Sequence, residues 1–167
     1  MNNSGYIKKL INQLQSEDGN ERQRARKALV RIGRPAVPHL LDLLTHENDL
    51  LRWEACKALG SISDPETAAP LVHALSDTSM EIRWLAGEAL IALGEDAVCD
   101  VLRALETNFN SVFLREGAHH VLHALERQKL LDKKTLDVLD TLRYLQPSIS
   151  VGVAAKEALE SLLRRSE

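Results

Sequence analysis

Apolar residues recur along this chain at helical steps, and the same steps recur five times. Counting from Arg52, Ala55, Ala58, Leu59 and Ile62 follow at three, six, seven and ten residues. Arg83 is followed at the same offsets by Ala86, Ala89, Leu90 and Leu93. Arg22 leads Ala25, Ala28, Leu29 and Ile32, and Arg115 leads Ala118, Val121, Leu122 and Leu125. Gly152 leads Ala155, Ala158, Leu159 and Leu162, the one copy without the arginine. At 100° per residue these positions lie on one helix face. The five anchors are 30, 31, 32 and 37 residues apart, the mark of a repeat architecture.

Each anchor has a helix-start residue four positions earlier: Asp18, Asn48, Ser79, Ser111 and Ser148. Such side chains accept bonds from the free N–H groups of a first turn. Asp18 and Glu21 also have the spacing of a capping box. A second amphipathic segment precedes each anchor helix, for example Ile7, Leu10, Ile11 and Leu14, or Val37, Leu40, Leu41 and Leu44. Pro35 and Pro65 open two of these segments, with Asp64 as the cap before Pro65. No useful stretch alternates with period two. The pattern predicts ten helices in five pairs, an all-α solenoid in one domain, with repeats near 5–33, 34–63, 64–94, 95–127 and 132–164. A single pair cannot bury its own apolar stripe, so the pairs must stack.

Composition fits this picture: aromatics are only 4% of the 167 residues, so Leu and Ala must build the core. The net charge of −3 argues against a broad nucleic-acid footprint. Cys56 and Cys99 have neither metal-ligand spacing nor a disulfide framework, which suits a reducing, cytoplasmic setting. The N-terminus lacks a signal-peptide core, and no apolar run is long enough to span a bilayer.

The stretches "VPHLLDLL", "LRWEACKALGSISDPETAAPLVHALSD" and "IRWLAGEALIALG" resemble the short HEAT-like repeats named after phycobilisome lyase subunits. The resemblance implies a right-handed superhelix with the Arg-bearing helices on its concave side. It also implies an inter-repeat ladder made by an Asp six residues before the Arg. Only Asp77 before Arg83 keeps that spacing; Ser16, His46, Phe109 and Gln146 stand elsewhere. Some HEAT-like proteins are di-iron hydroxylases with His-Glu pairs at the start of these helices. The matching positions here are Gln23-Arg24, Trp53-Glu54, Trp84-Leu85 and Glu116-Gly117, all without His.

The two tryptophans both follow a repeat arginine. On the helical wheel the residues one, five and eight after the anchor point away from the Ala/Leu face. This places Trp53, Lys57, Trp84, Glu88, Ile91, Glu116, His120 and His123 in the groove, with Glu54 beside them. Paired Trp side chains on a rigid concave frame suit a partner-binding hot spot; the alternative is that each lies flat as repeat packing. Residues 49–106 carry eleven acidic against four basic residues, a balance of −7, which favours a protein or peptide partner of basic character. Self-association is a further possibility. The basic run Arg22, Arg24, Arg26, Lys27, Arg31 and Arg34 stays within one repeat, so nucleic acid is the weaker partner reading.

Little catalytic chemistry is written here. In "GAHHVLHAL", His119, His120 and His123 have spacings that can hold zinc, with Glu116 one turn before His120. No HExxH or nearby cysteine occurs, and a third ligand would have to come from a neighbouring repeat, such as Glu88. No nucleophile elbow, phosphate loop or dinucleotide fingerprint occurs. Lys57 beside Cys56 could lower that thiol's pKa. The expectation is a non-catalytic protein-binding scaffold without cofactor. The alternatives are a lyase-like or metal-dependent accessory subunit and, behind it, nucleic-acid binding through the first repeat.

Overall fold

The computed structural model describes residues 3–143 and 149–165. Ser148, expected as a helix cap, and Gln146, at the ladder position, lie outside these residues. Ten α-helices and no strand occur among the described residues. They are α1 (Asn3–Gln13), α2 (Gly19–Ile32), α3 (Val37–Leu43), α4 (Asp49–Ile62), α5 (Ala68–Ala74), α6 (Met80–Leu93), α7 (Val98–Asn108), α8 (Val112–Arg127), α9 (Lys133–Leu142) and α10 (Ile149–Arg165). Short 3₁₀ turns at Arg34–Ala36, Pro65–Thr67 and Gly94–Ala97 lead into α3, α5 and α7.

The helix starts follow local chemistry. Asp18, Asn48 and Ser111 accept bonds from the N–H groups of Asn20, Leu50 and Leu114. Asp64 caps the turn that begins at Pro65. Ser79 departs from this: its hydroxyl donates to the Glu81 carboxylate and caps no N–H. The Asp18–Glu21 capping box is also not made. Glu21 instead accepts from Ser16 (2.6 Å) and Gln13 (3.0 Å), which ties α2 back to the end of α1.

Helices α2, α4, α6 and α8 pack side by side in one layer. The core between layers is Leu and Ala, with Leu14, Leu29, Leu40, Leu59, Leu90 and Leu122 fully buried. Each such leucine contributes about 2 kcal/mol relative to an exposed one. Small residues set the helix spacing. A Cβ at Gly60 would lie 2.9 Å from the Ala89 Cβ, so α4 and α6 approach closely there.

The repeat arginines have a common task. Arg22 donates to the Ser16 and Glu17 carbonyls (2.7 and 3.0 Å). Arg52 donates to those of His46 and Glu47 (2.9 and 3.0 Å). Arg83 donates to those of Asp77 and Thr78 (2.8 and 3.2 Å), and Arg115 to that of Phe109 (2.8 Å). Each arginine thus satisfies the free carbonyls where the preceding helix ends, carbonyls that no helical N–H can reach.

The last pair breaks the rule. Extrapolating the repeat places α10 beside α8, but α10 packs against α7 and α9. Gly152 occupies the arginine position because a Cβ there would meet the Phe109 ring at 2.9 Å and the Glu106 carbonyl at 3.4 Å. Val153, Glu157 and Glu160, which stand one, five and eight residues after Gly152, therefore do not extend the surface of α8.

Candidate protein-binding surface

Two recesses open on the layer formed by α2, α4, α6 and α8, one on each flank of α6. The first, of about 620 Å³, lies over the opening turns of α2, α4 and α6. The second, of about 260 Å³, lies between α6 and α8. Trp53 lines the first and Trp84 the second.

In the first recess the protein answers its own charges. Glu54 is only 2% exposed. Arg22 Nε lies 3.4 Å from one of its oxygens, and Arg26 donates to the other. The sequence reading of Glu54 as a groove-facing acid is thereby corrected: its charge is neutralised from α2. Trp53 is half-buried, with the Arg26 guanidinium 5.4 Å and the Lys57 ammonium 4.4 Å from its ring centre. Both are cation–π contacts.

The inter-repeat links differ from one junction to the next. Arg22 meets Glu54 at the first. At the second, Arg52 grips Asp77 with two bonds, Nε to Oδ2 at 2.8 Å and Nη2 to Oδ1 at 3.1 Å. At the third, the Arg83 guanidinium lies 4.0 Å from the ring centre of Phe113. Burial pushes the Asp77 carboxyl up, but the Arg52 bonds and the Ser79 N–H outweigh it and hold the group below the usual carboxylate range. The one Asp with the expected spacing therefore does join a ladder, and its partner is the arginine of the preceding repeat.

The second recess is open. Trp84 is 58% exposed, Met80 68% and Phe113 44%. The His120 ring is tilted 34° against the Trp84 ring at 4.7 Å between centroids, and its Nε2 lies 2.9 Å from Glu88 Oε1. Gly87 makes this possible: a Cβ there would already press on His120 Cδ2 at 3.1 Å. Glu116 lines the recess, is exposed, and has no ion pair among the described residues.

The structure thus brings Trp84, Glu88, Glu116 and His120 together and gathers Trp53, Glu54 and Lys57 elsewhere. Ile91 is half-buried against the core. His123 is exposed and faces His119, ring centroids 5.9 Å apart, away from His120's partners. Burial, with His123 second, holds His119 below the usual imidazole range. Among the described residues no three His, Cys, Asp or Glu side chains are grouped to hold a metal ion. Cys56 is fully buried, and burial pushes its thiol up to about 12, so the thiolate suggested by Lys57 does not form at neutral pH. Sequence reasoning missed Met80 and Phe113, and read Arg26 as part of the basic run, whereas it lies over Trp53 and bonds Glu54. Met80 stands one helical turn before Trp84, a spacing that would have flagged it.

Stacked helix pairs with a continuous core define a helical-repeat solenoid. The HEAT-repeat family model matches residues 7–90 and 37–122, and the chain belongs to that family. A chain in the complex of CpcE and CpcF of phycocyanin lyase from Nostoc sp. PCC7120 is similar, with TM-score 0.61 and 22% identity, covering 93% of this chain and 98% of that one. An engineered protein matches at TM-score 0.50 and 19% identity, over 95% of this chain and 81% of its own. Both likenesses concern the fold. No curated protein matches the chain. No described helix is long and apolar enough to cross a membrane.

Proposed function

We propose that this protein is a non-catalytic scaffold that binds a partner polypeptide along the α4–α6–α8 surface, with Trp84 as the main contact. The observation that carries the reading is the exposed apolar cluster of Trp84, Met80 and Phe113 on a rigid helical frame. Large rings held on such a frame lose little entropy on binding and cluster at hot spots. Nothing comparable supports the nucleic-acid alternative. In the first repeat, Arg22 and Arg26 face Glu54, Arg24 lies 3.8 Å from Asp18, and Arg34 pairs with Asp64 and Glu66. The lyase-like alternative has no activated thiol behind it, since burial pushes both Cys56 and Cys99 up.

The test is partner capture by the immobilised protein. Trp84→Ala should lose captured partners with its helicity unchanged. Undiminished capture by a folded Trp84→Ala protein would sink the proposal.

A further inference from the structure

The recess between α6 and α8 is an apolar slot with an acidic lip. Its volume of about 260 Å³ lies below the range of about 300–1,000 Å³ typical of drug-sized ligand sites, and suits a single side chain. Its walls are Met80, Trp84 and Phe113. The indole is already placed: His120 lies against it, and Gly87 leaves the space for His120 to do so. An arriving side chain therefore meets a preset surface and costs little ordering.

The charges around the slot are unequal. Arg83 is the cation that lines it, and its guanidinium is engaged by the Asp77 and Thr78 carbonyls and by the Phe113 ring. The carboxylates are available. Glu116 has no ion pair among the described residues, and Glu88, bonded to His120 Nε2 through Oε1 at 2.9 Å, keeps its exposed second oxygen for a further partner. Asp49 and Glu81, both exposed, line the recess on the other flank of α6.

We propose that this slot takes an apolar side chain of a partner polypeptide whose neighbouring residues are lysine or arginine. The proposal rests on the groove-binding reading above and gives it a chemistry. The apolar side chain would fill the space beside Trp84 and exclude water from it. The flanking cations would then reach Glu116 and Glu88 where solvent screening is reduced. An acidic segment in the same place would set like charges together, a penalty that selects against it.

The test uses the full chain labelled with ¹⁵N. Its two tryptophans give two indole N–H signals, assigned with Trp53→Phe and Trp84→Phe. Three peptides of about a dozen residues are titrated to millimolar concentration. One has a central leucine flanked by lysines, the second has glutamates in place of the lysines, and the third has alanine in place of the leucine. The lysine–leucine peptide should move the Trp84 signal and leave that of Trp53 in place. The other two should bind roughly tenfold more weakly or not at all. The double variant Glu88→Gln, Glu116→Gln should weaken the first peptide by a similar factor while its helicity stays intact.

Equal binding of the glutamate peptide would overturn the cationic preference and leave the groove reading standing. Equal binding of the alanine peptide would overturn the apolar slot. A Trp84 signal that no peptide moves, or movement confined to Trp53, would overturn both the slot and the choice of Trp84 as contact. A Trp84 signal that shifts with protein concentration alone would assign the slot to a second copy of the chain and overturn the proposal.

Discussion

Trp53 and Trp84 occupy the same repeat position, each directly after the repeat arginine, yet one is enclosed and the other offered. The difference lies in two neighbouring positions. Over Trp53 stand Arg26, four residues after the preceding repeat's anchor, and Lys57, one turn further along its own helix. For Trp84 the same two positions hold Cys56 and Glu88. Both cations are gone, and one has become an acid that draws His120 against the indole. Glu54, which fixes Arg26 in place, has Leu85 as its counterpart. An Arg-Trp pair is therefore neither repeat packing nor binding surface by itself: the residues one turn and one repeat away decide.

The largest effect should come from breaking the enclosed side. Glu54→Ala leaves Arg22 and Arg26 facing each other without a counter-charge, and should lower unfolding stability by about 3 kcal/mol in chemical denaturation. Glu88→Ala, on the open side, should change it by less than about 0.5 kcal/mol. Similar losses for the two would mean that Glu54 is no more structural than Glu88.

Next in size is the Arg52–Asp77 link between the two regions. Asp77→Asn should cost about 2 kcal/mol near neutral pH, the scale of charge-assisted hydrogen bonds. Because the folded-state pKa of Asp77 is lowered, its contribution is complete above the ordinary aspartate value of about 3.9 and fades as pH falls through the folded value. The stability gap between wild type and Asp77→Asn should therefore narrow in acid. A gap that stays constant on acidification would contradict the assigned link.

A smaller effect belongs to Gly87→Ala. The added Cβ presses on His120 at 3.1 Å, a cost that the gain in helix propensity of about 1 kcal/mol offsets, so stability should change by less than about 1 kcal/mol. It should also release the Trp84 indole, seen as a shifted and broadened indole N–H signal. Trp53 should not respond, because nothing in its setting depends on Gly87. An unmoved Trp84 signal would show that the His120 stack does not hold the ring.

Much of the fold was legible because it is local and periodic. The Ala/Leu steps, the caps at Asp18, Asn48 and Ser111, and the turn at Asp64-Pro65 follow from the nearest few residues. The misses came from interactions between repeats. Glu54 sits on the wheel near the groove, but whether it meets water or an arginine depends on α2, one repeat away. The capping box at Glu21 lost to Ser16 and Gln13, which reach it from the end of α1. The departure of α10 had two visible signs, the missing arginine at Gly152 and the 37-residue spacing before it. Their meaning required knowing that Phe109 and Glu106 fill the space. For the candidate site, Trp84, Glu88, Glu116 and His120 were chosen from the wheel and do converge. Phe113 was missed because it lies before the anchor, in the first helical turn, where the repeat pattern is silent.

The most direct test is acrylamide quenching of the two single-tryptophan proteins, Trp53→Phe and Trp84→Phe. The account predicts red-shifted, steeply quenched emission when only Trp84 remains. It predicts bluer, protected emission when only Trp53 remains, under Arg26 and Lys57. Equal quenching of both, or a protected Trp84, would contradict it and move the binding surface away from α6.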